Sequence, residues 1–413
     1  MKLSPLGSCA RFACCIIIAA CSPPTGLSRL QYTPNVVPNR EAKPSSYSVL
    51  YSFGVEPDGH TPQSALVGDH RTRYGTTTRG GENGSGAVFS IARGAEKVLY
   101  SMGLGNDGQL PDSSLTNVGG TLYGTTEFGG TYGLGTLFSV TTGGVEKVLH
   151  SFGNGADGVF PSGGVIDVNG TLYGTTFEGG ANSCMSGATC GTVYSITPGG
   201  KEKVLYSFGQ GNDGSFPFAG LIHVNGRLYG TTSEGGANAS NVTGASGCGT
   251  VFSITTGGKE KVLHSFGKGT DGYFPFAPLI FVNGTLYGTT TGGGAHKCSS
   301  CGTAFSITLG GAERVLHSFG KGTDGSAPGA SLIEVGGALY GTTYQGGANG
   351  SGTIFTIETN GTEKVLHSFG SALDGANPNA ALSYEGGRLV GTTEKGGANS
   401  FGTVFTLKLE MPT

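Results

Sequence analysis

The string Gly-Thr-Thr occurs seven times in this chain, and its spacing constrains the possible folds more than any other feature. Successive copies begin 49 to 58 residues apart, at Gly75, Gly124, Gly174, Gly230, Gly288, Gly341 and Gly391. An Asp-Gly pair recurs in the same phase, at Asp58, Asp107, Asp157, Asp213, Asp271, Asp324 and Asp374. A tandem period of about 50 residues is typical of solenoids and propellers, in which each repeat is one supersecondary unit.

One repeat, residues 217–266, has the pattern of four short antiparallel strands. The predicted strands are residues 220–224, 227–232, 249–254 and 260–266. The first two are joined by Asn225-Gly226, a strong hairpin signal because both central residues of a type I′ turn have positive φ. Four short strands per repeat make one blade of a β-propeller.

The two ends of the chain predict that the repeats close into a ring. Residues 47–53 match a fourth strand that lacks the first three, and residues 402–409 match a third strand that lacks a fourth. The N-terminal strand then completes the last blade and leaves no exposed edge, whereas a linear solenoid would carry capping repeats instead. We therefore predict an all-β fold over residues 47–410, a seven-bladed β-propeller of four-stranded antiparallel blades.

The composition favours ordered β-structure and gives no basis for nucleic-acid binding. Among 413 residues there are 80 glycines and no tryptophan, against an average glycine content of about 7%. Glycine without a three-residue period, among short clusters of Val, Ile, Leu, Phe and Tyr, indicates many tight turns rather than disorder. A net charge of −3 provides no attraction to nucleic acid or to an anionic membrane surface. We expect a monomer with no nucleic-acid partner.

Residues 1–21 have the pattern of an export signal. The apolar run 12–20 follows Lys2 and Arg11; it is too short to span a bilayer and matches a signal-peptide core. The run ends in Ile-Ala-Ala-Cys21, which resembles the lipobox of bacterial lipoproteins. This resemblance implies that Cys21 is the lipid anchor and the only membrane attachment. The alternative is an ordinary cleaved signal with an incidental cysteine.

The residues after Cys21 bear on location. Ser22, rather than Asp, follows the cysteine, which by the lipoprotein sorting rule implies the outer membrane, on its periplasmic or its surface-exposed side. Residues 22–46 are rich in proline and are predicted to form an extended tether.

The repeat also resembles a known family. The unit Leu-Tyr-Gly-Thr-Thr…Gly-Gly-Ala-Asn…Gly-Thr-Val-Phe-Ser-Ile…Glu-Lys-Val-Leu-His-Ser-Phe-Gly…Asp-Gly…Pro is similar to the Gloeo/Verruco (GloVer) tandem repeat, and the similarity covers residues 47–409. It implies an exported bacterial protein with a cell-surface anchor and no established activity. More distantly, the pattern resembles quinoprotein-like and kelch-like propellers. The chain lacks the tryptophans of quinoprotein repeats, so no cofactor is predicted.

Three consecutive repeats carry insertions that predict a binding sector. If each blade runs from the axis to the rim, the Asp-Gly loops and the loops after Gly-Thr-Thr lie on one face. Blades 3, 4 and 5 are extended there at residues 181–190, 237–248 and 295–301. Loops on a rigid scaffold often carry binding residues; the alternative is tolerated drift, since surface insertions cost little. The predicted binding residues are Asp157, Asp213, Asp271, Asn182, Asn238 and His296.

Most of the remaining cysteines lie in the same sector. Cys184 with Cys190, and Cys298 with Cys301, are predicted to form local disulfides in an oxidising compartment. A Cys-x-x-Cys such as 298–301 is alternatively redox-active or half of a metal site, but no second copy completes a zinc site. Cys248 aligns with Cys190 and Cys301 while a serine holds its partner position, so it is unpaired or pairs elsewhere.

Two sets of polar residues recur with the repeat. The Asp-Gly aspartates are calcium candidates, but each loop offers one carboxylate where calcium needs several, so we predict a turn role. Another repeat position holds His150, His264, His317 and His367, with tyrosine in other copies. These histidines lie on the outer strands of separate blades and are predicted not to converge on a metal.

The sequence favours binding over catalysis. Glu178 and Glu234 hold equivalent positions beside the sector and are weak candidates for an acid–base pair acting on a glycosidic bond. No Ser-His-Asp signature, phosphate loop or metal-ligand motif is present. We expect a cell-envelope lipoprotein that binds a glycan or a protein through blades 3–5. The alternatives are a periplasmic scaffold in an envelope complex, by analogy of fold, and a polysaccharide hydrolase or lyase on the same face.

Overall fold

The computed structural model describes residues 46–409 except 55, 69–70, 185–186, 239–246, 297, 299, 359 and 372. The predicted signal peptide, the Cys21 anchor and the tether lie outside these residues. Among those described, none forms a helix with the length and apolar character of a membrane span.

The described residues form an all-β fold. In chain order the strands begin with β1 (Tyr47–Ser52), β2 (Gly59–His60), β3 (Val67–Gly68), β4 (Arg73–Thr77), β5 (Arg79–Gly80), β6 (Ala87–Ala92), β7 (Ala95–Ser101), β8 (Gly108–Gln109), β9 (Thr116–Val118), β10 (Thr121–Thr126), β11 (Phe128–Gly129), β12 (Thr136–Thr141) and β13 (Glu146–Ser151). The next are β14 (Gly158–Val159), β15 (Ile166–Val168), β16 (Thr171–Thr176), β17 (Glu178–Gly179), β18 (Thr192–Ile196), β19 (Glu202–Ser207), β20 (Ile222–Val224), β21 (Arg227–Thr232), β22 (Thr250–Thr255) and β23 (Glu260–Ser265). The last are β24 (Ile280–Val282), β25 (Thr285–Thr290), β26 (Thr303–Thr308), β27 (Glu313–Ser318), β28 (Ile333–Val335), β29 (Ala338–Thr343), β30 (Thr353–Glu358), β31 (Glu363–Ser368), β32 (Gly375–Ala376), β33 (Ser383–Glu385), β34 (Arg388–Thr393), β35 (Lys395–Gly396) and β36 (Thr403–Lys408).

Seven four-stranded antiparallel sheets form the blades, which confirms the predicted fold. Blades 1 to 6 have the strand orders β3-β4-β6-β7, β9-β10-β12-β13, β15-β16-β18-β19, β20-β21-β22-β23, β24-β25-β26-β27 and β28-β29-β30-β31. Blade 7 has the order β33-β34-β36-β1. Its outer strand therefore comes from the N-terminal part of the chain, as the split repeat predicts. The first strands of blades 1 to 5 contact one another in sequence, which places them around the axis and the fourth strands at the rim.

Phenylalanine docks the blades in this tryptophan-free chain. The phenylalanine that follows a fourth strand packs edge-on or tilted against the aromatic residue in the third strand of the next blade, with ring centroids 4.8–5.1 Å apart. These pairs are Phe53–Phe89, Phe152–Tyr194, Phe208–Phe252, Phe266–Phe305, Phe319–Phe355 and Phe369–Phe405. Because both rings of each pair are fully buried, these six blade junctions each have an apolar core.

Hydrogen bonds from the Gly-Thr-Thr strings run around the axis. The first threonine of each string donates its hydroxyl to a backbone carbonyl just before the first strand of the next blade, at 2.8–3.5 Å. The donor–acceptor pairs are Thr76–Ser113, Thr125–Gly163, Thr175–Ala219, Thr231–Ala277, Thr289–Ala330, Thr342–Ala380 and Thr392–Ser64. The last pair joins blade 7 to blade 1, so the sequence of bonds closes on itself.

The second threonine of each string has a partner in every blade except the first. In blades 2 to 7 its hydroxyl bonds the threonine that begins the third strand, at 2.8–2.9 Å. In blade 1 that partner is Ala87, and the buried hydroxyl of Thr77 has no hydrogen-bond partner among the described residues. Blade 1 therefore carries an unsatisfied buried hydroxyl.

Replacing Ala87 by Thr is expected to stabilise the propeller by about 1 kcal/mol, because it completes a buried hydrogen bond. The urea midpoint of unfolding should rise with an unchanged slope. The matched control is Thr136→Ala in blade 2, which should lower the midpoint by a similar amount. If Ala87→Thr instead lowers the urea midpoint of unfolding, blade 1 cannot accommodate the methyl group of the added threonine.

Tyr194 is a second departure from the repeat with an expected effect on stability. It is fully buried in the third strand of blade 3, where the other blades have phenylalanine, and its hydroxyl has no hydrogen-bond partner among the described residues. Tyr194→Phe is expected to raise the free energy of unfolding by about 1 kcal/mol, since the desolvated hydroxyl is removed without loss of a bond. Phe252→Tyr, the reverse change in blade 4, should destabilise the protein. A higher melting temperature for Phe252→Tyr than for Tyr194→Phe would contradict this expectation.

Candidate functional site on the loop face

The Asp-Gly loops and the loops after Gly-Thr-Thr lie side by side. Short strands from the two kinds of loop pair as β2–β5, β8–β11, β14–β17 and β32–β35. Isolated bridges take the same place in the remaining blades: Ser215–Glu234, Tyr273–Gly292 and Ser326–Gln345. These loops define one side of the ring, the loop face. The opposite side carries the short turns that join the first strand to the second and the third to the fourth.

Each Asp-Gly aspartate joins its loop to the rim strand of the same blade. One carboxylate oxygen bonds a tyrosine hydroxyl or a histidine Nε2 seven residues earlier, at 2.7–3.1 Å. The pairs are Tyr51–Asp58, Tyr100–Asp107, His150–Asp157, Tyr206–Asp213, His264–Asp271, His317–Asp324 and His367–Asp374. The carboxylates also accept backbone N–H groups of their own loops.

The three aspartates predicted to bind a ligand belong to this set. Asp157, Asp213 and Asp271 are 8%, 5% and 6% exposed. Their side chains therefore lie inside the loops, and the observed geometry gives them a structural contact rather than a surface position.

A glutamate from the next blade approaches each of the first six pairs. Burial, followed by the charge of the neighbouring aspartate, raises the pKa of five of these carboxyls to about 7. The five are Glu96, Glu146, Glu202, Glu260 and Glu363. Burial also raises the pKa of Glu313. At the seventh junction Tyr47 takes this position and stacks on His367, with ring centroids 4.0 Å apart.

Sequence reasoning missed this meeting of carboxylates at the blade junctions. The histidines do lie on separate blades, but each meets acidic groups. One ligand atom each from His264, Asp271 and Glu313 lies within 4.8 Å of the others, and a cleft of about 420 Å³ is lined by His150, Asp157 and Glu202 among others. The same arrangement recurs where tyrosine replaces histidine, which indicates a structural element of the repeat.

The extended loops of blades 3–5 are fastened to their own blades. The side-chain amides of Asn182 and Asn238 each donate to two backbone carbonyls at the end of the fourth strand, at 2.8–2.9 Å. Asn349 makes the equivalent bonds in blade 6, which has no insertion. His296 is exposed on the blade 5 loop. These three predicted binding residues lie in loops of separate blades, and their role stays a prediction. Part of the blade 4 loop, residues 239–246, lies outside the described residues.

Two disulfides close the loops of blades 3 and 5. They join Cys184 to Cys190 and Cys298 to Cys301, each with a Cα–Cα distance of 5.3 Å. Cys190, Cys248 and Cys301 are buried at equivalent positions, each against the glycine that follows its blade's Ser-Phe pair.

Glu178 and Glu234 lie on the loop face, in equivalent loops of blades 3 and 4. Glu178 begins β17 and pairs with Val159, and the backbone of Glu234 bonds that of Ser215 in both directions. Their backbone positions agree with the sequence-based placement, and their role as an acid–base pair stays a prediction.

A row of aromatic rings on the loop face spans the same three blades. Consecutive rings contact one another with centroids 5.0–6.2 Å apart, from Phe177 through the two Phe-Pro-Phe segments to Tyr273. We call this set the aromatic strip: Phe177, Phe216, Phe218, Tyr273, Phe274 and Phe276. All of its members except Phe177 are partly exposed.

The strip is a departure from the repeat rather than a requirement of it. The positions of Phe216 and Phe218 hold Ala327 and Gly329 in blade 6, and Asn377 and Asn379 in blade 7. Phe216 and Phe274, each of which precedes a proline, have positive φ angles of 57° and 59°. This conformation is costly for a bulky residue. Since blades 6 and 7 form without aromatic residues at these two positions, the ring fold does not require them.

A pair of carboxyl groups lies on the loop face of blade 2. Asp112 precedes the first strand of the blade, and Glu127 follows its Gly-Thr-Thr string. Each has one buried carboxylate oxygen without a hydrogen-bond partner among the described residues. Burial raises the pKa of Asp112 to about 7, and burial together with the charge of Asp112 raises the pKa of Glu127 to about 8. Sequence reasoning missed this pair, because both positions vary from blade to blade and neither residue stands out.

A comparison with known protein families agrees with the repeat. A family model described as the Gloeobacter/Verrucomicrobia repeat matches residues 36–243 and 239–413. No curated protein matches the sequence. Similar solved structures include a gluconolactonase from Xanthomonas campestris, 15% identical, covering 70% of this chain and 82% of that chain with a TM-score of 0.40. Another is a putative 6-phosphogluconolactonase from Bacteroides uniformis, 14% identical, covering 74% and 84% with a TM-score of 0.46.

Proposed function

The chain belongs to the Gloeobacter/Verrucomicrobia repeat family, and from this premise we propose that its propeller is a glycan-binding module of the bacterial cell envelope. The binding surface in this proposal is the aromatic strip of blades 3–5. The observation that carries it is the continuity of six contacting rings on the face where the loops meet.

The chemistry of the strip suits a sugar chain. The faces of pyranose rings present C–H groups, which pack on aromatic rings, while the sugar hydroxyls need polar groups at the margin. Partly exposed aromatic rings provide large apolar area at low conformational cost, and the extended loops with Asn182, Asn238 and His296 belong to the same blades. A contiguous exposed apolar patch on a soluble domain commonly marks an interaction site.

The cell-envelope part of the proposal rests on the N-terminal sequence and the disulfides. The lipobox-like run ending at Cys21 supports export and a lipid anchor. The disulfides Cys184–Cys190 and Cys298–Cys301 support an oxidising compartment, because disulfides persist there and are rare in the cytosol.

The test is a glycan array probed with the protein, followed by affinity measurement on any ligand found. The double variant Phe218→Asn, Phe276→Asn introduces the residue that blade 7 has at this position, Asn379, and should fold. We expect it to weaken binding tenfold or more, since a central aromatic contact contributes on the order of 1–2 kcal/mol. Tyr132→Ser is the control, because Tyr132 is 48% exposed in blade 2 and outside the strip. An array without binding, or equal affinities of all three proteins, would contradict the proposal.

A further inference from the structure

The carboxyl pair of Asp112 and Glu127 has no charge partner among the described residues. Glu127 is only 7% exposed, and one carboxylate oxygen of each residue is fully buried without a hydrogen bond to any described residue. Neither side chain forms an ion pair with a described lysine, arginine or histidine. A buried carboxylate beside a partly buried one, both without a counter-charge, is costly unless something neutralises the pair.

The same positions in other blades are either uncharged or satisfied. Where blade 2 has Asp112, blade 3 has Ser162 and blade 6 has Gly329. Glu394 in blade 7 is the only other acidic residue at the position of Glu127 in the sequence, and it accepts the Tyr344 hydroxyl at 2.8 Å and lies 3.9 Å from the Lys395 ammonium. The repeat therefore forms without the pair, and where it does carry a carboxylate here it provides a partner.

We propose that Asp112 and Glu127 form a binding site for a divalent cation, Ca²⁺, at the loop face of blade 2. A cation of charge +2 would balance the two carboxylates, and the oxygens that no described residue satisfies would be its ligands. The donor set is oxygen only, which suits hard cations such as Ca²⁺ rather than zinc or copper. The remaining ligands would be waters and backbone carbonyls; the carbonyl of Leu110 is close by, since it accepts the Glu127 N–H at 3.3 Å.

This inference is independent of the proposed glycan site, because neither carboxyl belongs to the aromatic strip. The Asp-Gly aspartates are not part of it, since each already accepts hydrogen bonds from a histidine or tyrosine and from a backbone N–H of its own loop.

The test measures Ca²⁺ binding to the whole protein after treatment with EDTA. Elemental analysis should find one Ca²⁺ per chain after dialysis, and saturating Ca²⁺ should raise the melting temperature by about 2–5 °C. Asp112→Ser and Glu127→Thr introduce residues that blades 3 and 5 have at these positions, Ser162 and Thr291. Each should weaken Ca²⁺ binding at least tenfold without lowering the melting temperature measured in EDTA.

Two further variants make the result decisive. Glu127→Gln keeps the shape of the side chain, so it covers the case in which Glu127→Thr fails to fold. Glu82→Gln removes an exposed carboxylate on the same face and should leave binding unchanged. Absence of bound Ca²⁺ in the wild type, or equal binding by the wild type and the Asp112 and Glu127 variants, would overturn the proposal.

Discussion

Deletion of residues 47–53 is expected to abolish the folded state. These residues form β1 and place Phe53, which is fully buried, in a core with Phe89 and Val404. Loss of a buried phenylalanine alone costs about 3–5 kcal/mol, and the deletion also exposes the whole edge of β36. The total stability of a domain is about 5–15 kcal/mol. Size-exclusion chromatography and near-ultraviolet circular dichroism should show aggregated protein without fixed tertiary structure.

The matched control moves the strand instead of removing it. Attaching residues 47–53 after Leu409 through a Thr-Gly-Gly turn, as in blade 4, restores the normal order of four strands within blade 7. We expect this protein to fold with a stability close to that of the wild type. If the deleted protein folded as well as the control, the N-terminal strand would not be the closing element.

Raising the pH from 5 to 8 is expected to lower the stability of the propeller by several kcal/mol. Burial, and to a smaller extent the negative charge of the nearby Asp-Gly aspartate, raises the pKa of five glutamates from 4.5 to about 7 in the folded state. They are Glu96, Glu146, Glu202, Glu260 and Glu363. Below pH 4.5 these carboxyl groups are neutral in both the folded and the unfolded state, so their effect on stability is most favourable there. It is lost as the pH rises from 4.5 to 7, by about 1 kcal/mol per group after allowance for partial exposure.

Urea unfolding at pH 5, 6.5 and 8 measures this dependence. The double variant Glu146→Gln, Glu260→Gln should unfold at higher urea than the wild type at pH 8 and at a similar concentration at pH 5. These two glutamates lie next to Tyr–Asp pairs, so no histidine titrates beside them. Glu82→Gln, at an exposed position, is the control. An equal effect of the double variant at both ends of the pH range would rule out the buried carboxyls as its cause.

The blade architecture could be read from the sequence because it depends on local signals repeated seven times. In blade 4 the predicted strands 227–232 and 260–266 agree with β21 (Arg227–Thr232) and β23 (Glu260–Ser265). Asn225 and Gly226 both have positive φ, at 50° and 77°, as a type I′ turn requires. Ring closure was predictable because residues 47–53 match a fourth strand without the first three, and residues 402–409 match a third strand without a fourth.

The polar clusters at the blade junctions were not predicted, although the sequence contained a signal. One repeat position holds either histidine or tyrosine, and both side chains can donate a hydrogen bond. The aspartate seven residues later is present in all seven copies. Because the donor is kept when the residue type changes, the aspartate is indicated as its acceptor. The approaching glutamate belongs to another blade, so its contact depends on how blades pack and is not visible within one repeat.

The two surface features that carry the proposals differ in how visible they were. The insertions of blades 3–5 drew attention to the blades that also carry the aromatic strip, but to Asn182, Asn238 and His296 rather than to Phe218 and Phe276. Asp112 and Glu127 are 15 residues apart, and they become neighbours only because the Asp-Gly loop pairs with the loop after Gly-Thr-Thr. Both positions vary from blade to blade, so neither residue forms a motif by itself.

The pairing of β1 with β36 gives the closed ring a directional response to mechanical load. Tyr47 lies opposite Leu407, so the chain enters and leaves blade 7 at the same end of this strand pair. A pull between the two termini would peel β1 away one hydrogen bond at a time, at low force. A pull between the N-terminal side and a ligand held on the loop face would shear the whole strand along its length and load its hydrogen bonds together. The closure is therefore weak to unzipping and strong along the line that joins a tether to a bound ligand.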